Sequence, residues 1–128
     1  MKITIGGLRK LIRELYESPT QKAIQVTQHV VDVAEDYVDS LVAGKPDKRS
    51  EHEFKELADQ AASLAQWMLK KQLPKAEDVA KFAWVASKIS DESGFWKRPT
   101  FLGSTEYIEK MQGLLRKLNT AAVGVLSN

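Results

Sequence analysis

Three stretches of this chain repeat apolar residues at alternating spacings of three and four, and that rhythm restricts the fold more than any other feature. Ile24, Val31, Ala34, Val38 and Leu41 form the first series, with Thr27 in its one polar gap. Phe54, Leu57, Ala61, Leu64 and Met68 form the second, and Ile108, Met111, Leu115, Leu118, Ala122 and Val125 the third. Each set falls on one stripe of an α-helix, so the helices must lie side by side to remove those stripes from water. The expectation is an all-α antiparallel bundle of four main helices with a short N-terminal amphipathic helix, spanning 1–128 as one domain. A chain of 128 residues buries enough apolar surface to fold without staples.

Local signals place the helix ends. Ser18, Pro19 and Gln21 read as an N-cap, a proline at the first helical position and a capping box, so a long helix begins there. It extends to about Ala43, a rod of about 37 Å, with Gly44 as a left-handed cap and Pro46 beyond it. Ser50 and Glu53 suggest a second capping box, opening a helix that ends near Lys71. Its alanines Ala58, Ala61, Ala62 and Ala65 invite close helix approach. Pro74 is expected to open the next helix, which runs through Val79, Phe82, Ala83, Ala86 and Ile89 to Ser90. Ser104 caps the last, which contains Gly113 and Gly124. Residues 91–103 are left as one long connection. Upstream, Leu8, Leu11, Ile12, Leu15 and Tyr16 share a face, opposite Arg9, Lys10, Arg13 and Glu14, and Gly6 and Gly7 make that segment dependent on packing.

Composition excludes whole classes of chemistry. With no cysteine there is no disulfide framework, thiolate zinc site or cysteine nucleophile, and a cytoplasmic setting is expected. No apolar run reaches membrane-spanning length, so no membrane role is expected. The net charge of +2 is small but unevenly distributed. Residues 18–44 hold Asp32, Glu35, Asp36 and Asp39 against Lys22 alone, whereas the two ends of the chain are mildly basic. A dedicated nucleic-acid binder would carry a denser basic stripe. The chain has no glycine-rich phosphate loop, nucleophile elbow or zinc-finger spacing, and His29 and His52 lack the partners of a metal site or triad.

Two clusters could carry function. Glu35, Asp36 and Asp39, followed by Glu56 and Asp59 on the next helix, form an acidic series that could hold magnesium between antiparallel helices. The series, with its Glu56-Leu57-Ala58-Asp59 run, resembles the metal motif of MazG-type all-α nucleotide pyrophosphohydrolases, although Asp36 and Asp39 stand where that motif has glutamates. The resemblance implies five magnesium ligands and a metal-activated water attacking a phosphate. Without it, the same acids form a solvated helix face. The second cluster is Phe95, Trp96, Lys97, Arg98 and Phe101. Interleaved aromatics and cations anchor a protein partner or stack bases; alternatively the aromatics plug the bundle's open end. Trp67 and Trp84, off or at the edges of their stripes, either widen the core or cover a subunit contact, and the core is the expected place.

The opening Met1-Lys2-Ile3-Thr4, followed by Leu8-Arg9-Lys10-Leu11-Ile12-Arg13-Glu14, resembles the start of many small proteins of tailed bacteriophages. That resemblance implies a virion component or a binder of host machinery, in the host cytoplasm or the virion. The sequence reading is therefore a non-catalytic binding or assembly protein without a cofactor. Its contact residues would be Leu8, Arg9, Leu11 and Ile12 together with Phe95, Trp96, Lys97, Arg98 and Phe101. A protein partner or self-association is expected, because Val26, Val30, Val33 and Tyr37 add apolar surface beyond one seam. A magnesium-dependent pyrophosphohydrolase is the alternative, and a nucleotide or nucleic-acid binder the third reading.

Overall fold

The computed structural model describes residues 18–96 and 104–127, with residues 95 and 96 described by their backbone only. Four helices account for most of them: α1 (Pro19–Val42), α2 (Lys48–Lys70), α3 (Ala76–Trp96) and α4 (Thr105–Leu126). Each packs on its neighbour in the chain, and α4 packs back on α1, closing an up-down-up-down ring. α1 and α3 also touch across the middle, so the cross-section is a rhombus with α1 and α3 on its short diagonal. Residues 1–17, with the expected N-terminal helix, lie outside the described residues.

The helix ends show which local signals win. Ser18 caps α1, its hydroxyl accepting the Gln21 amide at 3.2 Å, with Pro19 in the first turn as expected. At the other end Gly44 adopts φ +76°; its amide reaches Leu41 O and that of Lys45 reaches Ser40 O, a Schellman motif. α2 starts earlier than the Ser50 signal implies, because Asp47 takes the cap instead. One Asp47 carboxylate oxygen accepts the Arg49 amide at 3.1 Å, the other the Ser50 hydroxyl at 2.8 Å. These bonds, the Ser50 hydroxyl foremost, hold the Asp47 carboxyl below the usual range. A carboxylate also answers the positive end of the helix dipole, which a serine does not.

α3 departs from expectation at both ends. Pro74 does not open it; Pro74 and Lys75 are the central pair of a turn closed by the Ala76 amide on Leu73 O, with Lys75 at φ +68°. Proline followed by a positive φ is the signature of a type II turn, which here outcompetes proline's preference for a first helical turn. The Lys75 ammonium reaches across to α4 and donates to Val125 O at 2.8 Å and to Ser127 O, satisfying carbonyls at that helix's C-terminus. At its far end α3 continues to Trp96 rather than stopping at Ser90. Residues 91–96, expected in the connection, are therefore helical. Ser93 explains the extension: it is buried against the core and needs the helix to hold it there.

Inside the ring, the buried stripes are close to those read from the sequence, rotated by a fraction of a turn. α2 turns Phe54, Ala58, Ala61, Ala65 and Met68 inward, and Leu57 and Leu64 flank the seam half-buried. Small residues at its centre let α3, with Ala76, Ala83 and Ala86 buried, approach closely. In α1, Val30 and Tyr37 are fully buried and Val26 and Val33 half-buried. Of the apolar surplus read as a subunit contact, Val30 and Tyr37 therefore belong to the chain's own core, and Val26 and Val33 lie at its edge. A helix touching three others needs a wider apolar face than a helix in one seam. Tyr37 marks the short diagonal: its hydroxyl donates to Ser93 Oγ at 2.8 Å, and Ser93 donates to Ser90 O at 2.8 Å. Its ring lies 5.6 Å from that of Phe54.

Candidate interaction surfaces

Side chains that the bundle leaves outside define two grooves. The first lies between α1 and α2, holds about 570 Å³, and is walled by Lys22, Val26, Asp59, Leu64 and Trp67. The second runs between α3 and α4 and holds about 510 Å³, with Lys81, Trp84 and Val85 on one wall and Arg116, Lys117 and Thr120 on the other. It continues past Trp84 toward Lys88, Glu92, Lys110 and Gly113. Trp67 is 47% exposed and Trp84 61% exposed, which corrects their expected place in the core.

Helical phase explains the exposure. Val79, Phe82, Ala83, Ala86 and Ile89 define the inward stripe of α3. At about 100° per residue, Trp84 falls on the opposite face, with Lys81 one turn before it and Lys88 one turn after. The Lys88 ammonium stands 5.4 Å from the Trp84 ring centroid, a cation–π contact on the outer face of the helix. Glycine keeps the α4 wall low: a Cβ at Gly113 would meet nothing within 4 Å, and at Gly124 only the Asp78 carboxylate, at 3.4 Å. At the far end Lys110 bridges to Glu92 at 3.5 Å, tying the two walls together.

The acidic series takes a different place. Glu35, Asp36 and Asp39 are exposed on α1, and Glu56 and Asp59 are exposed on α2. Glu56 pairs with His52 at 3.1 Å along its own helix, and Asp59 borders the α1–α2 groove. Among the described residues no three histidine, aspartate or glutamate side chains converge on a point that could hold a metal ion. The magnesium reading therefore gains no geometry from the packing of α1 on α2.

The expected contact residues Leu8, Arg9, Leu11, Ile12, Lys97, Arg98 and Phe101, and the side chains of Phe95 and Trp96, lie outside the described residues. The α3–α4 groove is the surface that the sequence reading missed. Its signal was present in Lys81-x-x-Trp84-x-x-x-Lys88, where two cations at helical spacing bracket a tryptophan on a polar face. No described helix is long and apolar enough to cross a membrane. No family model matches the chain, and neither a curated protein nor a solved structure matches it.

Proposed function

We propose that this chain is a non-catalytic binding or assembly protein that acts through the outer surfaces of its helices. The observation that carries the reading is Trp84, 61% exposed among cations on a groove wall, while Phe82 and Val85 beside it are buried. Tryptophan is among the residues most enriched at the energetic centres of protein interfaces, and a lone indole held in water gives the fold little. Trp67 is a second exposed indole, on a groove that holds one cation, Lys22, and one anion, Asp59. Neither groove brings together a nucleophile, a base and an orienting group, so chemistry would have to come from elsewhere.

A photo-crosslinking amino acid in place of Trp84 or Trp67, with exposed Gln66 as the control position, tests the reading in cells making the full chain. Discrete adducts at 84 or 67 and none at 66 are expected. Equal, diffuse labelling at all three positions, together with a single monomeric mass by light scattering, would overturn it.

A further inference from the structure

The α3–α4 groove has a counterpart on the same molecule. Asp32, Glu35, Asp36 and Asp39 stand exposed on α1, and no ion pair engages them among the described residues. In the groove, Lys81, Lys88, Arg116 and Lys117 are exposed and likewise carry no ion pair among the described residues, although Lys88 lies over Trp84. The bundle cannot bring the two sets together within one chain. α1 and α3 occupy opposite corners of the rhombus, and the acids lie on the face of α1 opposite its buried stripe.

The spacing also matches. Asp32 and Asp39 are seven residues apart, as are Lys81 and Lys88, so each pair spans about 10 Å of helix. Trp84 sits between the two lysines, and Glu35 and Asp36 between the two aspartates. An indole N–H is a donor only, and a carboxylate an acceptor only, so the centres of the two surfaces are complementary as well as their ends.

We infer that the α3–α4 groove docks the acidic outer face of α1 from a second copy of this chain, a head-to-tail contact that rests on the binding-protein reading above. Because the two surfaces differ and lie on different sides of the bundle, the contact is heterologous and propagates into rings or filaments. A discrete set of carboxylates fits this groove better than a nucleic-acid backbone does. Asp78 at one end and Glu109 at the other would repel a continuous row of phosphates running the length of the groove, whereas a strip of about 10 Å fits between them.

The test uses sedimentation velocity on the full chain from about 1 µM to about 1 mM. A groove variant carries Lys81→Gln, Arg116→Gln and Lys117→Gln; a strip variant carries Asp32→Asn, Glu35→Gln, Asp36→Asn and Asp39→Asn. Circular dichroism confirms that both remain helical. The wild type should grow in mass with concentration, and its association should weaken at least tenfold between about 0.1 M and about 1 M salt, as the screening length contracts from about 10 Å to about 3 Å. Each variant alone should stay monomeric. Mixed one to one, they should form a complex that stops at two chains, because the groove variant offers only its strip and the strip variant only its groove.

If the wild type associates and both variants do so equally, the docking is overturned and the binding-protein reading stands. A wild type that stays monomeric at low salt but crosslinks a foreign protein at position 84 has the same meaning. A monomeric wild type that binds a single-stranded oligonucleotide, and loses it in the groove variant, overturns the docking and assigns the groove to nucleic acid.

Discussion

Removing the Ser93 hydroxyl should cost more than removing the Tyr37 hydroxyl that donates to it. In Tyr37→Phe the donor disappears, but Ser93 keeps its own bond to Ser90 O, so no buried hydrogen-bond donor is orphaned. The loss is that of one net hydrogen bond, about 1 kcal/mol. In Ser93→Ala the Tyr37 hydroxyl, on a residue 1% exposed, loses its acceptor within the short diagonal. An unsatisfied buried donor costs up to about 3 kcal/mol, and about 2 kcal/mol is expected here. The double variant removes both groups and leaves neither orphaned, so it should fall near Tyr37→Phe, about 1 kcal/mol above Ser93→Ala in stability. Urea unfolding reads the cycle, each kcal/mol moving the midpoint by about 0.5–1 M at an m-value of about 1–2 kcal/mol/M. The reasoning is refuted if Ser93→Ala costs no more than Tyr37→Phe, or if adding Tyr37→Phe to Ser93→Ala lowers stability further.

Three other perturbations test separate parts of the fold. Thr27 is fully buried and its hydroxyl has no hydrogen-bond partner among the described residues, so the isosteric Thr27→Val should raise stability by about 1 kcal/mol, seen as a higher urea midpoint. Gln72 closes the Schellman motif of α2 at φ +54°, its amide on Leu69 O and that of Leu73 on Met68 O; Gln72→Gly keeps both bonds and should add about 0.5–1 kcal/mol, whereas Gln72→Val should lower the midpoint. Burial pushes the Tyr107 hydroxyl up to about 12, and burial raises Tyr37 as well. A raised pKa means that the folded state holds its proton longer, so this contribution is complete below about pH 10 and is lost as pH rises through about 12. Urea midpoints should therefore decline over that window, and Tyr107→Phe should flatten the decline.

What could be read from the sequence was whatever depended on one helix at a time. The Ser18-Pro19 start and the Gly44 stop are local, since cap, proline and glycine act within a few residues, and both appear where the spacing implies. The starts expected at Ser50 and Pro74 differ from those observed because two local motifs compete at each place, and the winners depend on the turn geometry between helices. Ser93 failed for a different reason. A serine near an expected helix end reads as loop, and only its Tyr37 partner, 56 residues away in sequence, makes it core. The rotation of the buried stripes has the same origin. Ala58 and Ala65, rather than Leu57 and Leu64, face inward because α2 and α3 approach closely, and closeness is a property of the pair.

The two tryptophans separate what stabilises this bundle from what its surface is suited to meet. Among the described residues Tyr37, Phe54, Phe82 and Tyr107 supply the aromatic volume of the core, each fully buried, and the indoles of Trp67 and Trp84 do not contribute to it. Alanines along α2 and α3 would be overpacked by one, and an indole forced between them would push the helices apart. Trp84 is therefore kept out of the interior by its helical phase and by the close packing of α2 on α3, and any large gain from it must come from outside the chain. The cations around it select what can approach. They favour a carboxylate-bearing face, and the short diagonal that sets α3 opposite α1 also puts such a face on the far side of the same molecule. Packing geometry and surface charge are thus linked: the corner arrangement that buries Tyr37 against Ser93 keeps the acids of α1 away from the groove within one chain, and the docking proposed above would bring them to it from a second copy.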